Sequence, residues 1–281
     1  MRKLLLLAFG ATLLMGCSSK ERPSQAEIVV SIAPLKYIVQ RIVGDDFRIG
    51  VLVPANTSPE TYDPTPRDII ALNNAKMLLS TGLIEFETTL LDKIGDKQNI
   101  VELHEGIDLI AGSCSHSHCN HAHGTDPHIW LSPRELRTMS RNAHAAIMRL
   151  YPDSAHYTAA YKDLDEELAA LDAECQSLCE ASPADAFVIY HPALTYYARA
   201  YSLEQIAIES DGKEPSAKHI ADIITRAKKQ HAACLLYQSE FPRSVVEVIA
   251  KDMGIEPIEI NPLAEDPVAF IREVTKTITK K

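Results

Sequence analysis

At 281 residues the chain has room for about two domains at roughly 150 residues each, which excludes a peptide or a disulfide-stapled miniprotein. Its 28 Lys and Arg against 38 Asp and Glu leave a net charge of −10, which repels phosphate backbones and argues against nucleic-acid binding while tolerating cationic ligands. Hydrophobic residues make up 46% of the chain, near the globular average, and the one long apolar run, Leu4 to Met15, is too short to span a bilayer.

That run belongs to an address. Arg2 and Lys3 form a positive start, Leu4 to Leu14 an apolar middle, and small residues follow, the pattern of a secretory signal. Leu14-Met15-Gly16-Cys17 resembles the lipobox of bacterial lipoproteins, which implies a signal peptide over 1–16 and a lipid-modified Cys17 that anchors the protein to a membrane. Residues 18–26 are polar and read with Cys17 as a tether, 17–26. With Cys17 committed, five of the six cysteines remain, an odd number that supports no full disulfide framework. Cys234 sits in an apolar run and reads as a small buried filler, and Cys175 and Cys179 share a helix face.

From residue 27 short β-branched runs alternate with longer helical patterns, the signature of α/β units with mainly parallel strands. Ile28 to Pro34 leads into a helix containing Tyr37, and Phe187 to Pro192 leads into one containing Tyr196 and Tyr197. Asp63-Pro64-Thr65-Pro66 and Glu214-Pro215-Ser216 each precede a helix that runs on to a strand, Met77 to Ser80 and Cys234 to Tyr237. The repeated order predicts two similar α/β lobes, 27–152 and 183–281. Between them Tyr157, Tyr161, Leu164, Leu168, Leu171, Cys175 and Leu178 form one apolar stripe. Pro152 and Pro183 bracket it, so Ser154 to Ala181 is expected to be one rigid linking helix about 42 Å long within the segment 153–182. A helical hairpin or a coiled-coil dimer seam would use the same stripe.

Two stretches carry chemistry. Residues 114–123, CSHSHCNHAH, place four histidines and two cysteines in ten positions, where the whole chain has eleven histidines. Such a tract cannot bury a face, and His116, His118, His121 and His123 with Cys114 and Cys119 suit zinc or copper as a loose collector. The two cysteines could instead pair as a disulfide. Next comes Asp126-Pro127-His128-Ile129-Trp130-Leu131-Ser132-Pro133, with the only tryptophan two residues from a histidine. At a strand end, His128 would point into a cleft. His191 ends the first strand of the second lobe, where open α/β sheets bind ligands.

Taken with Val53-Pro54, Ser58-Pro59-Glu60-Thr61-Tyr62-Asp63-Pro64-Thr65-Pro66, His191-Pro192 with Tyr196-Tyr197, and Asn261-Pro262-Leu263, these motifs make the chain resemble the metal-binding solute-binding lipoproteins of bacterial ABC importers, the group that includes the zinc-uptake periplasmic proteins. The likeness covers the exported chain almost end to end. It implies two α/β lobes bridged by a rigid helix, a Zn2+ or Mn2+ ion held between the lobes, and a histidine-rich loop in the zinc-type members. The family's second and third ligands fall on His128 and His191. Where many members have histidine in Ser-Pro-His this chain has Glu60, and where many have aspartate before Pro-Leu it has Asn261.

Glu60 can still ligate, because a carboxylate oxygen binds zinc at about 2.0–2.2 Å. Asn261 offers only a weak neutral oxygen, which leaves water or the 116–123 loop as further candidates for the fourth position. The expected function is therefore that of a monomeric, lipid-anchored capture protein, on the periplasmic face or cell surface, that takes a divalent cation and hands it to a membrane permease. Zinc is expected, with Mn2+ and Fe2+ open. A His2Glu set with an open position is also the arrangement of catalytic zinc, but no His-Glu-x-x-His run or Gly-x-Ser-x-Gly elbow accompanies it. A metal-dependent hydrolase and a lipoprotein adhesin with a structural metal are the alternatives, and an enzyme is not expected.

Overall fold

The computed structural model describes residues 26–55, 57–93, 99–112, 124–209, 215–241 and 243–280. The signal and anchor segment with Cys17, and the tract 114–123, lie outside the described residues. The first sheet has the order β2-β1-β3-β4, built from β1 (Ile28–Val30), β2 (Ile49–Val51), β3 (Met77–Ser80) and β4 (Ile100–Glu102). The second repeats the pattern as β6-β5-β7-β8, from β5 (Ala186–Ile189), β6 (Glu204–Ala207), β7 (Leu235–Gln238) and β8 (Pro257–Ile260). Every pairing is parallel. The inner strands β1, β3, β5 and β7 are buried at every position, because helices cover both faces of a parallel sheet and leave no wet side.

The helices in chain order are α1 (Ala33–Val43), α2 (Pro66–Asn74), α3 (Glu85–Lys93), α4 (Pro133–Leu150), α5 (Ala155–Ala181), α6 (Thr195–Ala200), α7 (Ala217–Lys229), α8 (Arg243–Met253) and α9 (Pro267–Ile278). Proline stands in the opening positions of α1, α2, α4 and α9, where its missing N–H is not needed and its fixed φ suits the first turn.

Helix α5 is a single unbroken helix of 27 residues, about 40 Å at 1.5 Å per residue. Its apolar stripe faces the chain's own α1, α4 and α9 rather than a second copy. One detail departs from the expected stripe. In the last turn Cys179 is buried and Leu178 only half-buried, because 3.6 residues per turn makes the seam drift, and a step of four from Cys175 keeps to the covered side where a step of three does not. Polar ties flank the seam: Arg137 grips Asp165 with two bonds of 2.8 and 2.9 Å, Arg41 pairs with Glu167, and Arg272 reaches Glu174 at 2.9 Å.

The core is not divided along the line between the sheets. One cluster runs from β1, α1 and α4 through Leu164, Leu168 and Leu171 of α5 to Phe187, Ile189, Tyr196, Tyr197 and Val274. On the opposite face of the second sheet Val188, Tyr190, Ile206 and Leu235 pack with Ile223, Val246 and Ile249. Strand β5 thus sends alternate side chains into two different cores, as its two-residue period requires.

Candidate metal centre

Both sheets present the carboxyl ends of their strands toward a common cleft of about 360 Å3, the edge at which open α/β sheets take ligands. Glu60 lies in the loop after β2. This loop is tied to α2 by Asp68, whose Oδ2 accepts bonds from the Tyr62 hydroxyl at 2.9 Å, the Thr65 N–H at 2.7 Å and the Thr65 hydroxyl at 2.6 Å. The Tyr62 ring also meets Phe86 edge-on at 5.1 Å. Glu60 itself stays half-exposed, with 46% of its side chain open to solvent.

His128 does not end a strand. Among the described residues the segment before it forms only an isolated bridge between Ala111 and Thr125, and His128 instead opens the 3-10 turn Ile129–Leu131. The cause is local: Asp126 Oδ1 accepts both the backbone N–H and the Nδ1–H of His128, each at 2.9 Å, and this bends the chain and orients the ring. The turn is locked across the cleft, where Trp130 Nε1–H donates to the Pro262 carbonyl at 2.8 Å. Tyr196 works in the opposite direction, its hydroxyl donating to the Asp126 carbonyl at 2.8 Å and accepting from the Ile110 N–H at 3.2 Å.

His191 follows β5. Its backbone is clasped by the Gln238 amide, which accepts from the His191 N–H at 3.4 Å and donates to the His191 carbonyl at 3.2 Å. Its Nδ1 is 3.0 Å from Glu209 Oε2, and its Nε2 is 3.0 Å from Glu60 Oε1 and 3.4 Å from His128 Nε2. One donor atom from each of Glu60, His128 and His191 falls within 4.8 Å of the others. Two nitrogens bound to tetrahedral zinc at about 2.0–2.1 Å lie about 3.3–3.4 Å apart, so the imidazole pair is already spaced as one edge of such a tetrahedron.

Each imidazole turns Nε2 into the cleft and gives Nδ1 to a carboxylate, His128 to Asp126 and His191 to Glu209. This outer layer fixes tautomer and ring orientation in metal sites. Burial pulls the His191 pKa down, but hydrogen bonds to Glu209 and Glu60 outweigh it and raise it to about 10. Burial raises the Glu60 carboxyl, yet the His191 hydrogen bond and nearby imidazole charge leave it lowered overall. Asp126 is likewise lowered, His128 outweighing burial. In the metal-free protein a proton on His191 therefore ties Glu60 of one lobe to Glu209 of the other.

Asn261 lines the same cleft, but its Oδ1 accepts the Leu263 N–H at 3.0 Å and is turned into its own loop. Glu209 stands in none of the motifs read from the sequence. Its place beside His191 follows from β6 pairing with β5, which no motif spells out. Asp126 was readable in principle, since an aspartate two residues before a histidine can reach both its backbone and ring. Among the described residues Cys175, Cys179 and Cys234 are free and buried.

The profile of a family described as zinc-uptake complex component A, periplasmic, matches residues 28–281. The zinc-binding lipoprotein AdcA of Streptococcus pneumoniae is 27% identical over 92% of this chain and 54% of its own length. The high-affinity zinc uptake system protein ZnuA of Bacillus subtilis is 27% identical over 88% of this chain and 81% of its own. A crystal structure of ZnuA superposes with a TM-score of 0.81 at 31% identity, covering 90% of this chain and 97% of that one. The chain spans about half the length of the AdcA relatives it matches.

Proposed function

Since the chain belongs to the zinc-uptake complex component A family, we propose that it is the extracytoplasmic solute-binding component of an ABC importer, which captures one divalent cation between its lobes and passes it to a membrane permease. The observation that carries the reading is the convergence of Glu60, His128 and His191, from three separate segments, on one point of the cleft. Zinc is the cargo that two imidazoles and one carboxylate suit best, and the names of the relatives lean the same way. Mn2+ and Fe2+ are the competitors. The fourth position falls to water or to the 116–123 loop rather than to Asn261, whose oxygen is engaged.

Family membership argues against the hydrolase alternative. In the proposed protein residues 1–16 are a signal peptide, Cys17 carries the lipid, 17–26 form the tether, and lobes 27–152 and 183–281 flank the linking segment 153–182. It works as a monomer in the cell envelope. The His116–His123 tract with Cys114 and Cys119 serves as an auxiliary collector. No helix among the described residues is long and apolar enough to cross a membrane. Titrating the demetallated protein with zinc, manganese and iron, read by elemental analysis after desalting, tests the reading. It expects one retained zinc per chain, displaced by neither competitor at equal concentration and lost in His128→Ala and His191→Ala. Retention of zinc by both variants would overturn it.

A further inference from the structure

We propose that Tyr196, a residue of the second lobe, is a positioning residue for His128, the imidazole donor of the first lobe, so that metal capture depends on how α6 seats against the first lobe. This rests on the metal-binding reading above and goes beyond it by naming a residue outside the donor set.

Three observations lead there. First, an unbroken series of hydrogen bonds runs from Tyr196 to the donor. The Tyr196 hydroxyl donates to the Asp126 carbonyl at 2.8 Å, and the Asp126 carboxylate accepts both the backbone N–H and the Nδ1–H of His128 at 2.9 Å. Asp126 is thus held at its carbonyl by the second lobe while its side chain aims an imidazole of the first. Second, the anchor is itself braced. Tyr196 is completely buried, its hydroxyl also accepts the Ile110 N–H at 3.2 Å, and the Arg199 guanidinium lies 5.2 Å from the centre of its ring. Arg199 in turn reaches Glu135 at 3.0 Å and Asp108 at 3.2 Å. Tyr196 and Arg199 stand three residues apart on α6 and so share one helix face, which grips the first lobe at Asp108, Ile110, Asp126 and Glu135.

Third, α6 begins at Thr195, four residues after His191 in the same stretch of chain. The segment that carries the second lobe's imidazole therefore also fixes the first lobe's. The two Nε2 atoms stand 3.4 Å apart, and a tilt of the Asp126 turn relative to α6 changes that spacing directly. Loss of an outer partner of a metal-bound histidine costs about 10–100-fold in affinity, and a hydroxyl one bond further out belongs at the lower end of that range.

The test compares Tyr196→Phe with Tyr197→Phe in the full demetallated chain. Tyr197 is equally buried, but its hydroxyl donates to Thr275 of α9 at 2.8 Å, beside Cys179 of α5, so its loss removes a comparable bond directed at the linking helix rather than at Asp126. Zinc affinity is read by competition with a chelator through Trp130 emission, which reports the cleft because the indole lies 5.2 Å from the His128 ring. Tyr196→Phe should weaken zinc about tenfold and Tyr197→Phe less than about twofold, even where both lower Tm alike. In 15N-histidine NMR of the metal-free chain, the His128 Nδ1–H resonance, assigned by its loss in His128→Ala, should shift or broaden in Tyr196→Phe alone. Arg199→Gln removes the brace and leaves the hydroxyl in place, and it should weaken zinc about threefold. Zinc affinity or a His128 resonance unchanged in Tyr196→Phe, or an equal loss in Tyr197→Phe, overturns the proposal. Where Tyr196→Phe does not fold, unchanged affinity in Arg199→Gln does the same. A wild type that takes up no zinc overturns the metal-binding reading instead.

Discussion

Zinc binding should expel a proton, and the number follows from His191. In the metal-free protein its imidazole is held between Glu209 and Glu60, with a pKa raised to about 10. A metal needs the Nε2 lone pair, so at pH 7.5 it displaces that proton across a gap of about 2.5 pH units, roughly 3 kcal/mol or a few hundred-fold in apparent affinity. The sign is fixed: affinity rises about tenfold per pH unit up to about pH 10 and then levels off. The threshold thus lies well above the value near 6.5 expected of a free imidazole. Calorimetry at pH 7.5 in two buffers of different ionisation enthalpy counts the protons, and one per zinc is expected from this residue. Glu209→Gln removes one of the carboxylates that hold the proton and should lower the count and flatten the pH profile between 7 and 9. Identical heats in both buffers with a flat affinity from pH 6.5 to 8.5 would refute the argument.

The same pair predicts the stability of the metal-free protein. A group whose pKa is raised on folding stabilises the fold fully below its ordinary value near 6.5 and loses that contribution as pH rises through about 10, so Tm should fall across pH 7–10, and less so in Glu209→Gln. The only tryptophan, Trp130, has its ring 5.2 Å from that of His128, so zinc should change its emission saturably at one equivalent, and His128→Ala should abolish the change. Leu168→Ala, in the middle of the α5 seam, should cost about 2–5 kcal/mol of unfolding free energy with zinc stoichiometry unchanged. Deleting 114–123 should slow zinc acquisition in stopped flow while one tight equivalent remains in equilibrium titration.

The three side chains that converge in the cleft were legible because each stands in a short run that turns the chain: Ser58-Pro59-Glu60, Asp126-Pro127-His128 and His191-Pro192. Proline restricts the residue before it and ends regular structure, which delivers His191 just past β5 to the rim of the sheet, while Glu60 and His128 each follow a proline in a loop. The lobes were legible for a similar reason, since apolar runs such as Phe187 to Tyr190 alternate with helical spacing. What stayed hidden depends on neighbours in space. Glu209 gains its role only when β6 lies beside β5. Gln238 matters because β7 ends next to His191. The placing of His128 on a 3-10 turn rather than a strand end came from Asp126, a competition between side-chain and ladder hydrogen bonds that a pattern of apolar residues cannot register.

The cluster that passes beneath both sheets limits how cargo can leave. Prising the halves apart would wet that shared interior at roughly 2.5 kcal/mol for every 100 Å2 of apolar surface, and would also break the bond from Trp130 to Pro262. Lifting the arm that holds Glu60, the half-exposed donor of the three, uncovers only the edge of it where Tyr62 meets Phe86. In the proposed role, release of the ion then resembles raising a latch more than opening a jaw, the latch being the arm from Ser58 to Tyr62.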